Sequence, residues 1–425
     1  MPQPQRTSGG GLSRPARVGM VALAIGCLIY IPGSVLAMLP YFDHGAWTPE
    51  TAFRDALPGT SAAAHSITAA FAGRKGPYLH SEWPMLVHTV LGGAIMLLGP
   101  WQLFTGATRR MLRGHRILGR IYAGIVATSM IAAAAYLVRT PWTEVFSGPV
   151  FAVGLWGFWV GVVVSLTLGI VAIRRGAIER HLRWMVFCYA CLMSAPLIRL
   201  GWSLVMGFDH SVPMPVANIY VGSALFGVCM IGATVGARAV DRRPVVPGMR
   251  KVWVSENAMT LCVSVGIIGY IVLGMLSFTW SPQWAATKFY YSATWFAVLG
   301  LSLASVLRHR ARGTHPYAEQ EWRVTFAAHI LAPAVGLAFG GMLLLATDID
   351  AETAEMAGVA VGWGACGLGA FAVIDRELRR AAKRAPRRKQ PKVVGSPGSA
   401  GADTEASTDV QTGTDTADSE VTPVS

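Results

Sequence analysis

An all-α polytopic membrane bundle of about ten spans, with both termini cytoplasmic, is the fold class that this 425-residue sequence predicts, and three observations carry it. Hydrophobic residues make up 53% of the chain and charged residues only 14%, with a mean hydropathy of +0.44, whereas soluble domains carry about one-quarter charged residues. The apolar residues gather into blocks near or above the roughly 18 to 20 that cross a bilayer core. These blocks are continuously apolar, which specifies helices; strands of a membrane barrel would alternate in polarity over about ten residues. The third observation is the placement of Lys and Arg, taken up after the spans.

In chain order the expected spans are 18–39, 84–104, 119–138, 150–174, 181–206, 217–239, 258–279, 291–307, 324–346 and 353–374. The first is Arg-flanked and ends near Val35, Leu36 and Ala37, so a cleaved signal peptide is the alternative to a retained helix there. Spans two to six lie between short loops, and the fifth contains Pro196, which is expected to kink it. Four more spans follow residue 252. The expected organisation is therefore an N-terminal span with an outer loop (1–83), a polar-core helical bundle (84–239), four further helices (252–375) and a disordered cytoplasmic tail (376–425). The tail begins with Arg and Lys and continues in Gly, Ser, Thr, Asp and Pro, a composition that cannot bury a core.

Of the 36 Lys and Arg residues, 30 fall at the N-terminus, in alternate loops and in the tail. The opposite loops hold only Arg54, Arg74, Lys75, Arg139 and Lys288. The positive-inside rule then sets both termini in the cytoplasm and points to the bacterial inner membrane. Topology and an anionic inner leaflet account for the net charge of +13, so a nucleic-acid partner is not expected. All six cysteines fall in spans, which implies no disulfide framework, and Cys188-x-x-Cys191 reads as small apolar filling. No metal-spaced Cys/His cluster, phosphate loop, nucleophile elbow or zinc-protease helix is present, so the sequence specifies no reaction and no metal.

Ionisable residues in spans carry the functional signal, because their cost in hydrocarbon turns them toward a bundle interior. His88 lies toward the outer side of the second span and shares a helix face with Gly92, Gly99 and Gln102. His181 and Arg199 lie eighteen residues apart on the fifth span, one face but about 27 Å of rise, and so opposite leaflets. The second cytoplasmic loop holds His115, Arg116, Arg120 and Tyr122, at the depth where His181 opens the fifth span. His88 and Arg199 thus form an expected outer site, and His115, Arg116, Arg120, Tyr122 and His181 an inner one. The ninth span repeats part of this pattern in His329, Pro333, Gly336 and Gly340, as an inverted repeat would require.

The run from His88 through Gly99-Pro-Trp-Gln102, His115-Arg116, Gly119-Arg120-Ile-Tyr122, Trp156 or Trp159, and His181 with Trp184-Met185 to Arg199 resembles the bacterial membrane proteins catalogued as domain of unknown function 2306, over residues about 84 to 205. The resemblance implies a compact four-helix unit whose signature is matched by His88, Gln102, His115, Arg116, Arg120, Tyr122, His181 and Arg199. It implies no reaction. A second likeness is to membrane cytochromes b, in which histidines on a four-helix bundle ligate haem. His88 and His181 are nearly a membrane apart and cannot share one iron, while His115 and His181 could approach one another; His80 and His44 are loop candidates for the outer side. Three readings stay open: a redox protein linked to haem b or a quinone, a small-molecule or proton-coupled transporter, and a non-catalytic assembly or scaffold protein.

Overall fold

A computed structural model describes residues 14–36, 76–77, 80–108, 111–209, 211–241, 252–276, 281–313 and 316–384. The described residues fold into helices: α1 (Arg14–Leu36), α2 (Glu82–Thr108), α3 (Leu112–Arg139), α4 (Gly148–Arg174), α5 (Ile178–Leu192), α6 (Ser194–Phe208), α7 (Met214–Val240), α8 (Glu256–Leu276), α9 (Pro282–Arg312), α10 (Pro316–Ile330), α11 (Ala332–Ala346) and α12 (Ala351–Arg384). There is no strand among them, and the protein is a multi-pass membrane protein. Helix α12 continues to Arg384, so residues 376–384 of the tail expected to be disordered are helical; the rest of that tail and most of the outer loop, with His44, lie outside the described residues.

Eight helical stretches are long and apolar enough to cross a bilayer, or nine when α10 and α11, bent by 43° at their junction, count as one. The first of the ten expected spans rests on a shorter apolar helix, Arg17–Pro32. Proline explains both interrupted spans. Pro196 lacks the N–H that would bond the Leu192 carbonyl, and the chain steps from α5 to α6 at Met193. Pro333 likewise cannot bond the carbonyl of His329; the Trp295 indole N–H donates to that carbonyl instead, at 2.7 Å.

Helix ends follow local chemistry that hydropathy does not register. Gly176, at φ +71°, turns α4 into α5 within three residues, in the left-handed region that suits glycine. The α9 helix is much longer than the apolar run 291–307, because Ser281 caps its start by accepting from the Trp284 N–H and Gly313, at φ +60°, ends it. Asp350 starts α12: its carboxylate accepts the Thr353 N–H at 2.9 Å, and the hydrogen bonds from Thr353 hold its carboxyl below the usual carboxylate range. A depressed folded-state value means that this contribution is full at neutral pH and is lost as pH falls through it. Asp350→Ala should cost about 1 kcal/mol at pH 7 and nothing extra in acid, read by thermal unfolding in detergent at both pH values.

The first half closes into a ring. Helix α2 packs on α3 and α5, and α4 packs on the same two, which sets α3 across from α5 and α2 across from α4. Helix α1 lies against α2, while α7 covers α5 and α6 and carries the contact to α9. In hydrocarbon such packing relies on close approach and buried polar contacts more than on the hydrophobic effect. Gly99 is flush against the Tyr189 ring, and Gly227 against the Trp363 indole.

Candidate functional site

Within the ring, on the Arg-poor side, is a chamber of about 300 Å³. Its walls are mostly apolar side chains of α2, α3, α4 and α7, such as Met96, Leu155, Phe158 and Ile219. Polar groups enter from opposite ends of the sequence signature: His88 and Arg199 both line it. Gly92, one turn from His88, has nothing within 4 Å of where a Cβ would stand, and leaves the wall open.

The His88 ring is held in one tautomer. Its Nδ1 lies 3.2 Å from the Ser129 carbonyl oxygen and 3.0 Å from Ser129 Oγ, and that hydroxyl donates to the His88 carbonyl at 3.3 Å. Nδ1 must therefore donate, and Nε2 keeps its lone pair with no partner among the described residues. Arg199, in the first half of α6, has its guanidinium carbon 5.2 Å from the centre of the Tyr30 ring, a cation–π contact that holds the charge beside α1. The Trp159 indole donates to the Met130 carbonyl at 2.9 Å, which fixes that part of the wall.

On the Arg-rich side the ring has a second polar cluster. His115 is the fourth residue of α3 and His181 the fourth of α5. His181 Nδ1 donates to the Gly169 carbonyl at 3.0 Å. His115 Nδ1 lies 3.1 Å from Thr105 Oγ1, a hydroxyl that is also within reach of the Trp101 carbonyl at 2.9 Å and the Gln102 carbonyl at 3.3 Å. Gln102 is 8% exposed, and its Nε2 is buried with no hydrogen-bond partner. Tyr122 is buried two turns along α3. Arg116 and Arg120 are exposed, so the structure sets them at the rim of this cluster and not inside it. The outer loop candidate His80 is exposed and is not among the residues lining the chamber.

Sequence reasoning missed a third cluster. Glu321 of α10, 1% exposed, accepts from Arg183 and from Arg238, each at 3.1 Å. Asp241 pairs with Arg238 at 3.1 Å and stands 4.0 Å from Arg183. Arg183 also lies 5.4 Å from the centre of the Phe371 ring. Beside it Asp375 of α12 takes Arg180 with both oxygens at 2.9 Å. Three of the arginines counted above as topology signals are thus structural. The available signal was the carboxylates Asp241, Glu321 and Asp375 on a side crowded with arginine.

His329 differs from the other buried imidazoles. It is 1% exposed, and its Nδ1 accepts from the Trp363 indole at 2.8 Å. Its ring and its carbonyl thus both serve to join α10 to α9 and α12 at the bend.

No curated protein and no solved structure matches the chain. Residues 85–233, from the first turn of α2 into the last third of α7, match the family model described as predicted membrane protein (DUF2306). That stretch holds both the chamber's His88 and Arg199 and the whole Arg-rich-side imidazole pair, while α1 and α8 to α12 fall outside it. The helical ring that concentrates the polar residues is the part of this chain that carries the signature of the DUF2306 predicted membrane proteins.

Proposed function

We propose that this protein is a redox-linked protein of the bacterial cytoplasmic membrane, and that its chamber holds the ring of a lipophilic quinone-type molecule with His88 and Arg199 at the ring's polar oxygens. The observation that carries this reading is the unpaired Nε2 lone pair of His88 in an apolar, membrane-embedded chamber that also receives a guanidinium. Apolar walls with a few convergent polar groups are the usual make-up of a small-molecule site, and about 300 Å³ is at the lower end of its size range. A neutral Nε2 accepts a hydrogen bond from a ring O–H. Arg199 can only donate, and so suits a carbonyl or an oxyanion. The two residues thus offer the complementary contacts that a quinol and a quinone need.

The test is direct. Protein purified in detergent is extracted with organic solvent and the extract analysed for prenylated quinones; a short-chain quinone is then titrated while fluorescence of the chamber tryptophans Trp159 and Trp202 is followed. A charge-assisted hydrogen bond contributes about 1.5–3 kcal/mol, so Arg199→Ala should weaken binding on the order of 10-fold or more, and His88→Ala by somewhat less. Unchanged affinity in both variants, or no quinone bound by folded wild type, would remove the reading. A scaffold role predicts the reverse pattern: lower stability for His88→Ala in a protein that binds no quinone.

The transporter reading draws on one separate observation, the 43° bend between α10 and α11, since interrupted spans are common at transport sites. Here the freed His329 carbonyl is taken by Trp295, which favours a structural use of the bend. Uptake of a labelled quinone analogue into proteoliposomes, driven by a pH gradient, would reverse that preference.

A further inference from the structure

The chamber receives a third polar side chain, which the quinone reading does not use. Asn218 of α7 is 3% exposed and lines the chamber together with His88 and Arg199. His88 is the seventh residue of α2 and Asn218 the fifth of α7, and both helices enter from the Arg-poor side, so each residue stands within about two turns of that side, on different walls. Half of the Asn218 amide is engaged: its Nδ2 donates to Ser147 Oγ at 3.1 Å, and the side chain makes no other hydrogen bond among the described residues. Ser147 precedes α4 at φ +67°, a left-handed conformation that is uncommon without glycine, and Gly148 follows at φ +72°. The α3–α4 turn is thus fixed beside the amide, and its Val145 and Phe146 line the same chamber.

We infer that Asn218 binds a ring oxygen of the chamber's ligand in both of its oxidation states, while His88 and Arg199 tell the two states apart. This rests on the quinone reading and adds the contact that keeps the ring in place when it is reduced or oxidised. The chemistry of the three side chains differs in the way this needs. An amide carries two N–H donors and a carbonyl with two lone pairs, and one bond to Ser147 leaves at least one of each, whichever way round the amide lies. Its N–H meets the carbonyl of a quinone, and its oxygen meets the hydroxyl of a quinol. His88 has no such choice: with Nδ1 committed to the Ser129 carbonyl, its neutral ring only accepts at Nε2, which serves the hydroxyl. Arg199 only donates, which serves the carbonyl. Buried polar groups are nearly always hydrogen-bonded, so the unused half of a buried amide at the chamber wall is itself a pointer to a ligand atom there.

The test uses the full chain in detergent and two probes, a short-chain quinone and the same compound reduced beforehand to its quinol and kept free of oxygen. Each is titrated against the fluorescence of Trp159 and Trp202. Asn218→Leu removes the amide at similar volume and should weaken both probes by the same factor, about 5-fold, as the loss of one neutral hydrogen bond does. Arg199→Ala should weaken the quinone more than the quinol, and His88→Ala the quinol more than the quinone. Asn218→Ala is a second variant with the same expected pattern, should leucine not be accommodated beside Ser147. Ser147→Ala removes the bond to the turn but leaves the amide, and should keep both affinities within about twofold. A folded Asn218 variant that binds both probes as wild type does, or loses only one of them, overturns the inference. So does a Ser147→Ala protein that loses as much as the Asn218 variant, since Asn218 would then act as a brace for the α3–α4 turn. Wild type that binds neither probe removes the quinone reading itself, and this inference with it.

Discussion

Glu321→Ala is expected to cost about 3–5 kcal/mol of stability, the typical result of removing one partner from a buried ion pair. Glu321 is 1% exposed and serves two guanidiniums, from α5 and from α7, so its loss leaves Arg183 and Arg238 facing one another with only Asp241 between them. The desolvation of both cations remains while most of the compensating attraction is gone. Glu321→Gln separates charge from shape: it keeps the side-chain volume but removes the negative charge, and should be nearly as damaging. Glu377→Ala is the contrast. It breaks the Arg380 pair at 2.6 Å, in which Arg380 is 47% exposed, and should change stability by no more than about 1 kcal/mol. Thermal unfolding followed by fluorescence-detected size exclusion measures all three. A Glu321→Gln protein as stable as wild type would show that the cluster is held by packing and hydrogen bonding, with charge contributing little.

That cluster also marks where sequence reading stopped. Spans were legible because each was a long apolar run, and hydrocarbon allows no other reading of such a run. The chamber was half legible: His88 and Arg199 are costly in a membrane and stood out singly, and the structure lines one cavity with both. What enclosed them was not, since Leu155, Phe158 and Ile219 differ in no way from lipid-facing residues until helices pack. The tautomers of His88 and His181 were also beyond reach, being set by the carbonyls of Ser129 and Gly169, residues without individual signal. Arg116 and Arg120 carried the signature but lie exposed, because on α3 they point away from the ring in which Tyr122 is buried. Arg183 was read as a topology charge. Nothing in its spacing reveals Glu321, 138 residues away, as its partner.

A valine at Gly358 is expected to be as disruptive as the loss of Glu321, and for a reason that can be isolated. A Cβ at Gly358 would overlap the backbone of Gly340 and the carbonyl oxygen of Gly336, and one at Gly362 the backbone of Gly336, so α11 and α12 meet main chain to main chain. Rotamer changes relieve a clash with a side chain but not with a helix backbone. The two axes must separate, and every contact along the seam loosens with them. Overpacking of a well-packed core costs about 1–3 kcal/mol or occasionally more, and a backbone-limited site should fall at or above the upper end. The seam also shields Glu355 Oε2, which is buried without a partner, so separation would admit water to that oxygen. Gly341→Ala, next to the seam on the same α11, has nothing within 4 Å of the new carbon and should be neutral or stabilising by up to about 1 kcal/mol through helix propensity. Equal losses in the two variants would mean that the cost does not arise at the seam. A loss confined to Gly358→Val locates the cost in the seam, and with it the reason that the bent α10–α11 pair stays fixed against α12.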